Sequence, residues 1–472
     1  MAQRYEDFII QVFNNPPGLP GQYVQVVRAP GQVLATNLIP IHLNVDKVQI
    51  ELLAALQIDG PRLRQLGTQL FEQLFEPGEV RPLYFLARGG LAAKPGMALR
   101  IQVVPVEPGG SASLRGMPWE YLYNPLEASF VALEQAHNSV TRSFIRAGPC
   151  QELPLALPVT MLSVLANPAV GKRFQIDLEA ERKLMLDAVQ QAGLKAVVCH
   201  PKDPAASQPG VDLVITFLDQ VPDDQGLTHK CSRQALKSYL TDPAVPFPHI
   251  LHFGCHGSRE DAPPFDGTLL LEKDPTSGKT QGDVDVLPAR DLHQWLKQIV
   301  PNLRLVVLNA CTTAPAAREV KDSHSLAEAV ILAGVPAAVA MQFDIPLDTA
   351  LAFTGGFYTA LFKATLKEDL PIDQAMALAR DAILALKPAD CPHWGIPVLY
   401  RNPGGIEPFK LLRQGGKVQQ VINLTSELNF LKSERDRLTQ QAGGLPGWAQ
   451  VTLQGYNQRI QQLQQQLEQL IN

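Results

Sequence analysis

The sequence lacks the excess of positive charge that favours binding to a phosphate backbone. It also lacks the high cysteine content of an extracellular fold that is cross-linked by disulfides. Lysines and arginines number 41 against 46 acidic residues, for a formal net charge of -5. The chain therefore has no positive excess that would attract nucleic acid. Cysteine is scarce, because the 472 residues include only six, at irregular spacing. That usage is typical of a reducing compartment.

Neither a targeting segment nor a membrane span is predicted from the sequence. The N-terminus, MAQRYEDFII, has no basic region followed by an apolar stretch, so no signal peptide is predicted. The longest apolar run, 329–341, is shorter than a membrane span and is interrupted by Gly334 and Pro336. We therefore expect a cytoplasmic protein with neither a membrane nor a nucleic acid as a direct partner.

The length of the chain predicts several domains, because a single core stops growing at roughly 250 to 300 residues. The composition, 46% hydrophobic and 18% charged, is that of a globular protein. A proline-rich joint at 148–158 and a change to glutamine-rich sequence near 415 divide the chain. We predict an N-terminal domain over 1–150, a central domain over 155–412 and a C-terminal unit over 416–472.

The central region alternates strand-like with helix-like segments, which indicates an α/β fold with a mostly parallel sheet flanked by helices. The continuous apolar run LRLVVLNA predicts a strand buried on both faces. Strands are predicted at 159–166, 196–200, 249–254, 303–310, 336–343 and 394–400, and helices at 177–192, 232–242, 325–334, 348–366 and 372–386.

The two flanking regions have patterns of their own. The N-terminal region contains the strand-like runs FIIQVF, YVQVVRA and ALRIQVVPV and a helical stretch at 61–74, which predicts a second α/β or α+β domain. Apolar residues of the tail recur at 3-4-3-4 spacing in two stretches separated by GGLPG. This heptad spacing predicts an αα-hairpin with a coiled-coil seam. The hairpin is either a packing appendage or a docking surface for a regulatory protein or a second copy of the chain.

Reactive side chains follow two of the predicted strands. HILHFG is followed by Cys255, His256 and Gly257, and LRLVVLNA by Cys311. The carboxyl ends of neighbouring parallel strands meet at one edge of a sheet, where catalytic groups collect. His256 can then take the proton of the Cys311 thiol, which activates it for acyl transfer. The amides of Gly257 and Cys311 can form an oxyanion hole.

These residues resemble the CHAT domain, a bacterial relative of caspases and separases among the clan CD cysteine peptidases. The resemblance rests on HILHFGCHG, DGTLLLEKD, LVVLNACTTA, SLAEAVILAGVPAAVAMQFDIPLDTA and HWGIPVLY, which together span roughly 155–402. The segment MPWEYLYNP is similar to the domain that often precedes CHAT units, a degenerate caspase fold in relatives.

The resemblance implies a caspase-like cysteine endopeptidase acting on protein or peptide substrates with the dyad His256 and Cys311 and without a cofactor. It also implies control by a sensor or partner, often in bacterial defence or signalling. The sequence departs from caspases by reading NACTT around the cysteine, which leaves aspartate specificity unsupported. In metacaspases the residue two positions before the catalytic cysteine is acidic and helps to select basic side chains, whereas this chain has Asn309 there. A preference for Arg or Lys would therefore require Asp344 or Asp348 to reach the pocket. Asn309, Asp344 and Asp348 are thus the candidate substrate-binding residues.

Several alternatives are open on the residues alone. His252 lies on the same strand face as His256 and competes for the role of base. Zinc would need His252, Cys255, His256 and Cys311 to converge, whereas strand alternation turns Cys255 away, so we predict no metal. The segment SGKT resembles a phosphate loop, but its first glycine is replaced by Lys273 and no helix is predicted after it.

At the level of function, the first rival is a catalytically silent caspase-fold scaffold that acts through its hairpin. The second rival is a thiol acyltransferase that uses the same dyad. The polar segment 314–324 is either a gating loop or an ordinary surface connection. Trp119 and Glu120 are either ordinary core residues or a contact to the peptidase unit.

Overall fold

The computed structural model describes most of the chain: residues 4–31, 36–106, 114–134, 138–144, 155, 157–168, 176–199, 210–219, 231–242, 245, 247–259, 267–273, 284–299, 302–310, 325–368, 370–402, 407–409, some positions from 424 to 439, and 447–471. In these ranges no helix is both long and apolar enough to cross a membrane.

Strands coincide with the alternating and continuous apolar runs of the sequence. In chain order they are β1 (Arg4–Asn14), β2 (Gln22–Arg28), β3 (Ile39–Ile41), β4 (Met97–Val106), β5 (Tyr123–Asn124), β6 (Ser129–Phe130), β7 (Ser139–Arg142), β8 (Val159–Leu165), β9 (Ala196–Cys199), β10 (Leu213–Leu218), β11 (Ile250–Gly254), β12 (His256–Arg259), β13 (Gly267–Glu272), β14 (Val284–Pro288), β15 (Leu305–Asn309), β16 (Ala337–Met341) and β17 (Pro397–Arg401).

The helices lie between these strands and after them. They are α1 (Lys47–Ala54), α2 (Gly60–Phe75), α3 (Val80–Ala92), α4 (Leu178–Ala192), α5 (Arg233–Thr241), α6 (Ala289–Ile299), α7 (Leu326–Ala333), α8 (Leu347–Ala360), α9 (Ile372–Leu384) and α10 (Gly447–Ile471). A π-helical segment, Leu361–Lys367, continues α8, and short 3₁₀ turns lie at Trp119–Tyr121, Val131–Leu133 and Pro392–Gly395.

Twelve of the described strands form one sheet in the order β3-β2-β1-β4-β7-β17-β16-β15-β11-β8-β10-β9. The strands from β16 to β9 are parallel, whereas β17 is antiparallel to β16 and parallel to β7. The predicted fold class, a mostly parallel sheet flanked by helices, is confirmed. Strands β12, β13 and β14 form a separate antiparallel sheet.

Both faces of the parallel region are covered, because every residue of β11, β15 and β16 is buried. On one face Ile250 and Val307 pack in a large cluster with residues of α4, α8 and α9 and of the N-terminal region. On the other face Phe253 and Leu308 pack with residues of α5, α6 and α7. The continuous hydrophobicity of these strands follows from this double burial.

Strand β17 joins the N-terminal and central parts of the sheet. A buried polar network reinforces the joint: the Arg142 guanidinium donates to both carboxylate oxygens of Glu120 and, at 2.8 Å, to Oε1 of Gln342 beside β16. Glu120 thus contacts the central region through Gln342, whose Nε2 donates to it at 3.2 Å. The domain boundaries stay predictions, because two domains can also join their sheets edge to edge.

The C-terminal hairpin has a buried seam. Leu428 and Leu431 of its first arm pack against Ile460, Leu463 and Leu467 of α10. Arg459 of α10 also pairs with Glu427 across the seam, with 3.0 Å between nitrogen and oxygen. The predicted helical hairpin is therefore present at the end of the chain.

Candidate active site

The two strands that precede the predicted dyad are hydrogen-bonded neighbours. Strands β11 and β15 are parallel, and their register places Gly254 opposite Asn309. His256 and Cys311 each follow these opposed residues by two positions. The prediction that the two strands adjoin is therefore confirmed. Because they are parallel, both strands end at the same edge of the sheet.

His256 begins a new strand rather than extending β11. The chain turns at Cys255, and His256 and Gly257 then pair with Leu270 and Leu269 of β13. The His256 side chain is 8% exposed and Gly257 is buried. The antiparallel sheet thus holds the His-Gly pair beside the edge at which β11 ends.

Cys311 lies outside the described residues. The segments SGKT and 314–324 also lie outside them. The two residues that precede Cys311 in the chain, Asn309 and Ala310, are 7% and 1% exposed. The dyad and its oxyanion hole therefore stay predictions.

His252, the competing base, is fully buried among protein groups. Its Nε2 lies 3.1 Å from Oε1 of Glu181, and its Nδ1 lies 2.8 Å from the hydroxyl of Tyr358. Both ring nitrogens therefore have partners inside the core, which argues against His252 as a base that meets substrate. Cys255 packs in the cluster on the opposite face of the sheet, and the described residues contain no group of three or more metal-binding side chains.

Glu181 is the centre of a buried polar network directly beneath the strand ends. Its Oε1 accepts hydrogen bonds from Asn309 Nδ2 at 2.6 Å and from Thr354 Oγ1 at 3.1 Å, in addition to its contact with His252. A Cβ on Gly254 would lie 2.5 Å from Oε2 of the same carboxylate. The close approach of Glu181 thus requires glycine at the end of β11.

The sequence analysis missed Glu181, Thr354 and Tyr358, which helices α4 and α8 bring to the strand ends. The spacing of apolar residues in the sequence could have revealed Glu181. It lies four positions before Met185 and seven before Ala188, on the buried stripe of α4. A carboxylate on an apolar helical stripe indicates a buried polar partner, because an unpaired buried charge is very costly.

The candidate substrate-binding residues occupy two different environments. Asn309 is nearly buried, and its side-chain oxygen has no hydrogen-bond partner among the described residues. Asp344 and Asp348 are exposed beyond the end of β16, at the sheet edge where β11 and β15 also end. Asp348 pairs with Lys387 at 3.0 Å, and the hydrogen bond from Lys387 lowers the pKa of that carboxyl.

The sequence model of the CHAT domain family matches residues 64–402 of the chain. The match begins inside the region predicted as a separate N-terminal domain. No curated protein matches the sequence at a significant level.

Solved structures of three peptidases match the chain weakly. The Arg specific cysteine proteinase gingipain R (RgpB) of Porphyromonas gingivalis has a TM-score of 0.36 at 11% identity, covering 75% of this chain and 68% of that chain. The Drosophila initiator caspase Dronc has a TM-score of 0.26 at 10% identity, covering 50% and 76%. The Saccharomyces cerevisiae separase of the separase–securin complex has a TM-score of 0.32 at 11% identity, covering 76% of this chain and 21% of that chain.

Proposed function

The chain belongs to the CHAT domain family, and from that premise we propose that it is a cysteine endopeptidase that cleaves protein substrates with a dyad of Cys311 and His256. The observation that carries the proposal is the in-register pairing of β11 with β15, with Gly254 opposite Asn309. The ends of β11 and β15 therefore lie side by side, and a thiol and an imidazole that follow them in the sequence can meet there to exchange a proton.

In the proposed reaction His256 takes the proton of the Cys311 thiol, and the sulfur attacks the carbonyl carbon of a substrate peptide bond. The amides of Gly257 and Cys311 donate hydrogen bonds to the oxyanion that forms. His256 then gives its proton to the leaving amine, which leaves an acyl group on Cys311. Water, activated by the same imidazole, hydrolyses the thioester and restores the thiol.

The surroundings of His256 suit a positioned base. Pairing of β12 with β13 restrains its backbone, and the side chain is mostly shielded from water. A general base contributes most when it is held within hydrogen-bond reach of the proton it takes. Gly257 offers its backbone amide with no side chain in the way of an approaching carbonyl.

We assign substrate contacts to Asn309, Asp344 and Asp348. The side-chain oxygen of Asn309, which has no partner among the described residues, is an acceptor two positions before Cys311 in the sequence. Asp348 is an exposed carboxylate that is charged at neutral pH, so it can attract a cationic group on a substrate in competition with Lys387. Both acidic residues lie beyond the edge of the sheet at which β11 and β15 end.

We also propose that a partner or sensor protein controls the peptidase through the hairpin 416–472, within a bacterial signalling or defence pathway. The support is the closed seam of the hairpin: Leu431 and Leu463 are fully buried. A hairpin with a satisfied core has its polar outer surface available for a partner.

The test is cleavage of a diverse peptide library by the native chain and by Cys311→Ala, His256→Gln and the matched controls Cys255→Ala and His293→Gln. We expect Cys311→Ala and His256→Gln to lose at least about a thousandfold in kcat/KM, because each removes half of one catalytic unit. The control Cys255→Ala removes a thiol that packs in the core, and His293→Gln an imidazole bonded to the backbone oxygen of Ala329.

Equal cleavage by native and Cys311→Ala protein would contradict the peptidase proposal. Where no library peptide is cleaved, a peptidyl chloromethylketone separates the remaining functions. Labelling of Cys311 that depends on His256 supports a thiol enzyme, whereas its absence supports the silent scaffold that acts through its hairpin.

A further inference from the structure

A second thiol–imidazole pair lies apart from the proposed dyad. The sulfur of Cys391 is 3.0 Å from Nδ1 of His393, and both residues are partly exposed. They flank Pro392 at the 3₁₀ turn that leads into β17. The proposed peptidase reaction uses neither residue.

Backbone hydrogen bonds hold the pair in place. The amide of Cys391 donates to Pro388 O at 2.8 Å, and the amide of Ile396 donates to His393 O at 3.1 Å. The hydroxyl of the buried Tyr121 donates to Pro392 O at 2.5 Å. The backbone that carries the thiol and the imidazole is therefore anchored on both sides of the pair, so their contact is preorganised.

The other described cysteines have different surroundings. Cys199, Cys231 and Cys255 are 7%, 0% and 2% exposed, and burial raises the pKa of Cys231 well above its ordinary value. A buried thiol in apolar surroundings is inert, whereas a partly exposed thiol beside a base is reactive. Among the described residues, Cys391 alone combines partial exposure with a contact to an imidazole.

Burial, with the positive charge of Lys387, favours the neutral form of His393 at pH 7. Burial and the positive charge of Lys387 lower the pKa of His393, while the negative charge of Asp348 opposes this shift. A neutral imidazole with its proton on Nε2 has a free lone pair on Nδ1. Nδ1 can then accept the thiol proton as the sulfur attacks an electrophile.

We propose that Cys391 and His393 form a thiol modification site that exchanges with low-molecular-weight disulfides. In this step the Cys391 sulfur attacks one sulfur of the disulfide while its proton passes to Nδ1 of His393. A new S–S bond forms to Cys391, the original S–S bond breaks, and its electron pair leaves with the second sulfur. The leaving thiolate takes up a proton, so the products are a mixed disulfide on Cys391 and one free thiol.

The modification site lies on the rim of the candidate active site. Pro397, the first residue of β17, pairs with Met341, the last residue of β16, so the turn that carries Cys391 is at the edge where the parallel strands end. Asp348 and Lys387 lie at the same edge. The chemistry of the pair requires neither Cys311 nor His256, so the site stands independently of the peptidase proposal.

The experiment treats the full chain with hydroxyethyl disulfide, a small uncharged probe, and measures its addition by mass spectrometry. Cleavage after Arg380 and Arg401 gives a fragment whose single cysteine is Cys391, which separates it from Cys311. We expect one adduct on this fragment at pH 7, formed about tenfold more slowly in His393→Gln. The native rate should also fall less steeply than the rate of this variant as pH is lowered, because the imidazole takes the thiol proton during the attack.

Circular dichroism and gel filtration verify that each variant is folded, and His393→Asn provides a second replacement of the base. The matched control is His293→Gln, which removes an imidazole bonded only to backbone among the described contacts, and it should react as the native chain does. Equal rates and pH profiles for the native chain and both His393 variants would overturn the proposal. The proposal would also be overturned if Cys391 of the native chain stayed unmodified under conditions in which a free reference thiol, N-acetylcysteine amide, reacts with hydroxyethyl disulfide.

Discussion

At the scale of single residues, the least expected feature is the buried carboxylate of Glu181. It is 2% exposed, yet hydrogen bonds from three other elements converge on one of its oxygens. A buried charge is tolerated only when such donors replace the water it has lost. The network ties the ends of β11 and β15 to helices α4 and α8, so it supports the position of both segments that lead to the proposed dyad.

Replacing Glu181 by Gln should lower the free energy of unfolding by about 1 to 3 kcal/mol, because a neutral amide accepts these hydrogen bonds less strongly and can leave a donor unpaired. Urea unfolding measures the change. The matched control is Glu179→Gln on the same helix, which replaces an exposed carboxylate and should stay within about 0.5 kcal/mol of native. Equal effects of the two substitutions would mean that the network contributes nothing to stability.

Some residues of the candidate site could be predicted from sequence, and others could not. The positions of His256, Gly257 and Asn309 at strand ends could be predicted, because each follows or ends an apolar run, whereas their roles stay predictions. Thr354 and Tyr358 were missed, because they contact Glu181 and His252 across 173 and 106 positions of sequence and their own helix gives no sign of which strand it covers.

At the scale of elements, the strands buried on both faces were the easiest to predict. Helix α7 was also clear, because Ser325 accepts a hydrogen bond from the Glu328 amide at its start and Gly334 ends it with a φ of 110°. Strand β10 and helix α6 were missed. The sheet of β12, β13 and β14 was missed too, because its short strands are separated by long polar stretches.

The carboxylate of Glu134, in the segment before β7, contacts helix α3 and has a raised pKa. Glu134 pairs with Arg88 of α3 at 2.9 Å and accepts a hydrogen bond from Asn138 at 2.5 Å. Burial nevertheless raises the pKa of Glu134 to about 7, against the opposing effect of Arg88. Between the unfolded pKa of about 4.3 and this value, the folded chain binds more protons than the unfolded one.

This linkage predicts that Glu134 lowers the free energy of unfolding as pH rises from about 4.5 to about 7.5. The native chain should therefore lose more stability over that range than Glu134→Gln, which carries no titrating group at this position. Urea unfolding of both proteins at several pH values measures the difference. Burial lowers the pKa of His249 to about 3. His249 contributes equally to the pH dependence of both proteins, so its effect cancels in the difference between them. Parallel pH profiles would contradict the prediction.

At the scale of the whole molecule, a buried ion cluster crosses the N-terminal and central parts of the sheet. Asp373 of α9 accepts hydrogen bonds from Arg100 of β4 at 2.8 and 3.0 Å and from Arg401 of β17 at 2.6 Å. Arg100 also pairs with Asp7 of β1 at 2.9 Å. We expect this charge network, which links β1, β4 and β17, to couple the folding of regions that the sequence analysis predicts as separate domains.

The substitution Asp373→Asn should lower the free energy of unfolding by about 3 to 5 kcal/mol, because it leaves two buried guanidinium groups short of a carboxylate. Hydrogen exchange should then accelerate in both β1 and β11, because the shared sheet opens as a unit. Asp381→Asn, at an exposed position of the same helix, is the matched control. Faster exchange confined to the N-terminal region would instead support independent domains with the predicted boundary near 150.

The position of β17 also orders events during synthesis. This strand lies between β16 and β7, although all the other described strands precede it in the chain. On the ribosome, the N-terminal and central portions must therefore wait with unpaired edges until residue 401 has emerged. Unpaired strand edges invite aggregation, so a nascent chain stalled before β17 is the species most in need of a chaperone.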